Sequence, residues 1–199
     1  MADIDYYVFP LSVFSYLAGL ELEAVAARHG ARITYKPVQL MRMMAEVGTP
    51  TVAERHVSKQ KYRLQDIARV ARARGLPVNL QPRHFPTNPV PAAAAIITAQ
   101  AQGEGDLGRL VHGFLRAVWA EERDIADGEV VRDILLQSGF DPDLADKGLL
   151  TAVETLERNT DEALRRFVFG APSYVVGEEI FWGQDRLPLL EAHLASLAD

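Results

Sequence analysis

The chain contains no cysteine. Disulfides, thiolate metal ligands and cysteine nucleophiles are therefore excluded, and any thiol chemistry would need a thiol supplied from outside. Basic charge is also in short supply: 21 Lys and Arg stand against 27 Asp and Glu, a formal net charge of −6. A nucleic-acid binder would carry a basic stripe, so no nucleic-acid partner is expected. Arg63, Arg69, Arg72 and Arg74 do cluster, but on an amphipathic stretch where a solvated helix face is the expected role. No apolar run approaches the ~18 residues of a membrane span. The opening MADIDYYVF is acidic where a secretory leader would be basic, so a cytoplasmic location away from membranes is expected. The five histidines are scattered, with no i, i+4 pair, and no metal is expected.

What is present suits a globular enzyme-sized domain: 199 residues, 48% of them hydrophobic. IDYYVF at 4–9 is β-branched and aromatic and ends at Pro10, the pattern of a buried strand. Residues 13–29 read as one helix closed by Gly30, and 31–40 as a second strand. Strand, helix and strand make a parallel βαβ unit. Residues 41–53 read as irregular, broken by Gly48 and Pro50, and 54–74 as a helix stopped by Gly75 and Pro77. After a proline-studded loop at 79–91, helices are expected at 91–102, 106–122, 127–137, 142–147 and 149–157. Strand signals return in SYVVGEEIFW, 173–182, a hairpin turning around Gly177. A last helix at 186–198 is expected to take Asp185 as its cap.

βαβ at one end and ββα at the other is the thioredoxin arrangement. The expected fold is α/β, thioredoxin-like, with a large all-helical insertion: residues 1–40 and 159–199 form the thioredoxin-like domain, and 41–158 the insertion. In such a fold the active position lies where the first strand meets the first helix. Redox members place Cys-x-x-Cys there; this chain has Ser12-Val13-Phe14-Ser15, which cannot exchange disulfides. Taken alone, Ser12 reads first as a helix cap; a hydroxyl facing a bound thiolate would use the same geometry, so the two roles are not exclusive. No His-Asp pair is recognisable beside it, which argues against a serine hydrolase. Pro172, in VFGAPSYVV, begins a strand where the thioredoxin fold usually has a cis-proline. Phe114, Leu115, Val118 and Trp119 have helical spacing and read as core.

DYYVFPLSVFSYLA, HFPTN, AVWAEERDIAD and VFGAPSYVVGEEIFWGQDRL together resemble the 2-hydroxychromene-2-carboxylate isomerase family, which is related to kappa-class glutathione transferases and DsbA-type oxidoreductases. The stretches span nearly the whole chain in order. The resemblance implies glutathione as cofactor, a small aromatic substrate and a homodimer. It implies that Ser12 bonds the glutathione sulfur as the catalytic residue, that Ala171 and Pro172 sit beside the cysteinyl part, and that Trp182, Gly183, Gln184 and Asp185 hold the γ-glutamyl end. Phe85 falls where the family has a substrate-side aromatic. In the implied reaction the thiolate adds to a conjugated ring-opened substrate, a former double bond rotates, and the thiol leaves. The family's lysine and asparagine fall here near Met44 and Ala53, which bind no carboxylate; Arg42, Arg55 and Arg83 are the nearby cations. A kappa-class-like transferase or peroxidase, and a non-catalytic DsbA-like binding protein, are the alternatives.

Overall fold

The computed structural model describes residues 1–197. The aromatic run at the start forms β1, Asp3–Val8, and the chain returns parallel to it as β2, Arg32–Pro37. Between them lie two helices where one was expected, α1 (Val13–Ala18) and α2 (Glu21–His29). The break is at Gly19, whose φ of 63° and ψ of −142° suit a residue without Cβ. Gly30 closes α2 in the left-handed conformation, as expected.

The segment expected to be irregular holds α3, Leu40–Glu46. Met43 on it is fully buried against Tyr7, Val38 and Ala163, and this burial outweighs the glycine and proline signals that follow. Then come α4 (Val57–Ala73), α5 (Val90–Gln102), α6 (Leu107–Trp119) and α7 (Gly128–Gln137). A 3₁₀ turn spans Pro142–Ala145, and α8 spans Leu149–Arg165. α8 runs well past residue 157, because Thr160 and Ala163 continue its buried stripe and the Thr160 hydroxyl bonds back to the Leu156 carbonyl at 2.7 Å. It thus carries the chain without interruption through the expected 158/159 boundary. The hairpin is β3 (Ser173–Val176) and β4 (Glu179–Trp182), and α9 spans Leu187–Ser196. Asp185 does not cap α9. Arg186 occupies that position, and the Asp185 carboxylate pairs with the Arg186 guanidinium instead.

The four strands lie in the order β2-β1-β3-β4, with β1 parallel to β2 and antiparallel to β3. This is the arrangement expected from the two chain ends. Tyr35, Tyr6, Tyr174 and Phe181 are register partners across all four strands, an aromatic row on one face. Tyr6 lies 5.7 Å from Tyr35 and 5.1 Å from Tyr174, centroid to centroid. That face packs on α1, α2 and the helical core around Phe114, Leu115 and Trp119, which are buried as expected. The opposite face, with Tyr7 and Val175, packs on α8.

Two polar side chains serve this core. Glu23 reaches into it from α2, and the Tyr35 hydroxyl donates to Glu23 Oε1 at 2.8 Å. Gly108 makes room, since a Cβ there would stand 2.6 Å from Glu23 Cγ. Burial holds the Glu23 carboxyl above its ordinary value, against the lowering effect of the hydrogen bonds to it. Gln100 on α5 covers the open edge of β2: its amide oxygen accepts from Tyr35 N at 2.8 Å and its NH₂ donates to Tyr35 O at 3.0 Å.

Gln100→Ala leaves both Tyr35 backbone groups unpaired at a half-buried edge, and is expected to lower stability by about 1–3 kcal/mol in urea unfolding. For Glu23, the unfolded carboxyl releases its proton near pH ~4.3, and the folded one only at higher pH. Between the two the native state holds the extra proton, so stability falls as pH rises. Glu23→Gln is expected to flatten that fall, measured as the urea midpoint against pH.

Candidate functional site

β1 ends where β3 begins, because the two strands run antiparallel. Ser12, four residues after β1, therefore meets Ala171, two residues before β3. The Ser12 Oγ accepts from Ser15 N at 3.1 Å, which makes Ser12 the cap of α1, and donates to the Ala171 carbonyl at 3.2 Å. Both residues are buried. The Ala171-Pro172 peptide is cis, as is Phe85-Pro86. α1 is only six residues long, so its dipole at Ser12 is weaker than that of the single long helix the sequence suggested.

The turn after β4 lies against the same segment. Gly183 N donates to the Pro172 carbonyl at 2.9 Å. Trp182 is half exposed, edge-on to Phe169 at 4.8 Å, with its indole over Gly170. Gln184 is buried and its carbonyl accepts from Arg74 at 2.9 Å. The exposed Asp185 carboxylate lies against Gly183, where a Cβ would come within 2.7 Å of its Oδ1. Trp182–Asp185 and Ala171-Pro172 thus form one continuous rim, with Ser12 bonded to it at Ala171.

Two cavities flank the first turn of α1. One, of about 310 Å³, is apolar and lined by Phe9, Pro10, Leu11, Leu40, Phe85 and Pro86, with Arg42 at its edge. Phe85 is partly exposed there and leans on Trp119 at 4.9 Å. Arg42 pairs with Asp161 at 2.6 Å. The other, of about 490 Å³, is lined by Phe14, Arg55, Ser58, Lys59, Tyr62 and Arg63, with Asp66 also on its wall. Asp66 is bonded to Arg69. Arg63 lies over the Phe14 ring, its Cζ 5.5 Å from the centroid. Burial, and then the Arg55 charge, push its guanidinium below its ordinary value. Among the described residues no carboxylate pairs with Arg55, Lys59 or Arg63, so this cavity favours an anion.

Arg63 and Arg74 were expected on a solvated face; Arg74 is exposed as expected, whereas Arg63 is half-buried. Arg74 donates to the Ala18 carbonyl at 3.0 Å as well as to Gln184, tying α1 to the rim. Arg63 at one end and Arg74 at the other show that α4 runs alongside α1 in the same direction. Met44 is half buried beside a shallow pocket on the α3–α4 loop, and the Ala53 carbonyl accepts from Gln60. Arg83 is joined to Glu122 through its backbone N–H. A further cavity on α6 and α7, lined by Arg109, His112 and Arg116, includes none of the expected site residues. Among the described residues no three His, Asp or Glu side chains converge as a metal ion requires, and no helix is long and apolar enough to cross a membrane.

A short first helix capped by a hydroxyl, a cis-proline rim and a helical segment laid across both define a DSBA-like thioredoxin domain, and the model of that family matches residues 4–195. The chain is 31% identical to the 2-hydroxychromene-2-carboxylate isomerase of Pseudomonas putida, over 98% of this chain and 95% of the relative. It is 30% identical to that of Sphingobium xenophagum, over 96% and 97%. A solved 2-hydroxychromene-2-carboxylate isomerase structure superposes with a TM-score of 0.76 at 27% identity, covering 98% of this chain and 96% of that one. The chain belongs to the 2-hydroxychromene-2-carboxylate isomerase family.

Gly170→Ala would place a Cβ 2.5 Å from Trp182 Nε1. The half-exposed indole is expected to swing outward. A red shift of its fluorescence would show this, together with a stability loss of about 1 kcal/mol; Trp119, buried in the core, should not change.

Proposed function

We propose that the protein is a glutathione-dependent isomerase of the 2-hydroxychromene-2-carboxylate type, acting on a small ring-opened aromatic acid. The observation that carries this reading is the buried Ser12–Ala171 contact, set between an apolar cavity and a cationic one. A hydroxyl at that point can donate to a thiolate, which matters in a chain that has no thiol of its own. A free thiol titrates near pH 8.5, and a hydrogen-bond donor favours its charged form. The names carried by the full-length relatives support the isomerase class.

In the proposed reaction the glutathione sulfur gives its proton to water. The thiolate then adds to the substrate's conjugated double bond, whose electron pair moves onto the oxo group. The resulting single bond rotates. The pair returns, and the thiolate is expelled unchanged. Ser12 holds the sulfur before and after this cycle. The cavity formed by Phe9, Pro10, Leu11 and Phe85 suits the aromatic ring. Arg55 and Arg63 suit a carboxylate, whether of the tripeptide or of the substrate. In this reading Trp182, Gly183, Gln184 and Asp185 hold the γ-glutamyl end.

Calorimetry with glutathione and a turnover assay on 2-hydroxychromene-2-carboxylate test this reading. Binding at millimolar glutathione and isomerisation are expected, with kcat/KM falling roughly ten- to a thousandfold in Ser12→Ala. Absence of binding would sink the proposal. Met44 and Ala53 are apolar, and this keeps a glutathione-conjugating activity as a second reading. Faster turnover of an aryl halide than of the chromene substrate would favour it.

A further inference from the structure

The chain between α4 and α5 has no regular structure, yet it places Phe85 and Pro86 on the wall of the apolar cavity. The Phe85 ring is 41% exposed and leans on Trp119. A ring so exposed is held by little packing, so its place depends on how its backbone is tied. The ties run to one other segment. Asn79 N donates to the Trp119 carbonyl at 2.7 Å, Arg83 N to Glu122 Oε2 at 2.7 Å, and the Thr87 hydroxyl to Asp124 Oδ1 at 2.6 Å. The last two stand on either side of Phe85. The segment that accepts them is firmly seated. Ile125 is fully buried in the main core, Arg123 N donates to the Ala117 carbonyl at 2.9 Å, and the Arg123 guanidinium pairs with Asp133 on α7 at 2.6 Å.

Both carboxylates are suited to this task. Asp124 Oδ1 also accepts from Ala126 N at 3.0 Å, so its own turn orients it. Thr87 and this N–H hold the Asp124 carboxyl below its ordinary value, and 2.6 Å is the length of a charge-assisted O–H···O⁻ bond. Glu122 has a φ of 56°, where a residue with a Cβ is uncommon. Glycine would take that conformation freely, but it has no carboxylate for Arg83 N. We propose that Glu122 and Asp124 are positioning residues for the substrate's aromatic ring: their carboxylates clamp the chain on both sides of Phe85 and so hold the cavity wall in place. They act through Phe85 and take no part in the chemistry. The inference rests on the reading above that this cavity receives the ring, and adds what sets its shape. Cutting either tie loosens that wall. It leaves intact the rim at Ala171-Pro172 and Trp182–Asp185, which is built on other elements.

The test measures the isomerisation of 2-hydroxychromene-2-carboxylate together with glutathione binding by calorimetry. Thr87→Val and Asp124→Ala each remove the tie after Phe85. Each is expected to raise KM for the chromene substrate about three- to tenfold, the worth of one modest hydrogen bond. An unchanged kcat would mark this as lost ground-state binding, and glutathione affinity should not move. Thr87→Ser and Asp124→Asn keep the hydroxyl and the acceptor and should restore the wild-type KM. Because the two residues share one bond, the double variant Thr87→Val/Asp124→Ala should be no worse than either single variant. Glu122→Gly cuts the other tie while relaxing the backbone, so it should raise KM without lowering the melting temperature. An unchanged KM in all three single variants, or equal losses of kcat and glutathione affinity, overturns the positioning role and leaves the glutathione reading standing. Loss of the folded state in all three also overturns it, since the ties would then support the fold and not the cavity wall. A wild type that binds no glutathione and does not isomerise the substrate overturns both.

Discussion

The antiparallel pairing of β1 with β3 is the constraint on which the molecule turns. Three register pairs, Asp5 with Val175, Tyr6 with Tyr174 and Tyr7 with Ser173, join strands that lie more than 160 residues apart in the chain. Because the strands run in opposite directions, the end of β1 adjoins the start of β3. Ser12 and Ala171 are thereby close enough to share a hydrogen bond. A parallel pairing would put them at opposite ends of the sheet. Each aromatic cross-strand contact contributes only about 0.2–1 kcal/mol, so the row from Tyr35 to Phe181 acts chiefly through the apolar surface it removes from water.

The helical segment between the two halves does more than cover that sheet. α4 lies along α1 and reaches both ends of the site, with Arg63 over Phe14 at the start and Arg74 between Ala18 and Gln184 at the finish. One helix thus supplies a cationic wall and a tie between elements the chain visits at its two extremes. α5 contributes in turn through Gln100, and α8 through Thr160, whose hydroxyl accepts from Gln39 N just before α3.

Much of this was legible in the amino-acid order, for local reasons. The strands announce themselves through aromatic and β-branched runs bounded by proline and glycine. Ser12 and Pro172 stand at the junctions those runs define. The misread features have equally physical causes. Gly19 sits inside a continuous helical pattern, and periodicity does not reveal that its backbone leaves the helix. Met43 makes α3 a helix through contacts with β1 and α8 that no window around it contains. The extension of α8 depends on a threonine satisfied by its own backbone. Asp185 has the composition of a cap but pairs with the next residue. Arg63 carries no signal of its half-burial, because a guanidinium stacked on Phe14 looks in sequence like one facing water, and Arg74, though exposed, carries none of its bonds to the Ala18 and Gln184 carbonyls.

Gln100 has a consequence beyond the local stability of β2. The outer strand of a sheet is the place where one chain recruits another, through the same backbone groups that build the sheet. Here a side-chain amide from within the same molecule occupies one such pair of groups at Tyr35, as a neighbouring strand would. Resistance to self-templated growth on that flank is therefore set by a specific hydrogen-bond pair as well as by the general repulsion of a net charge of −6.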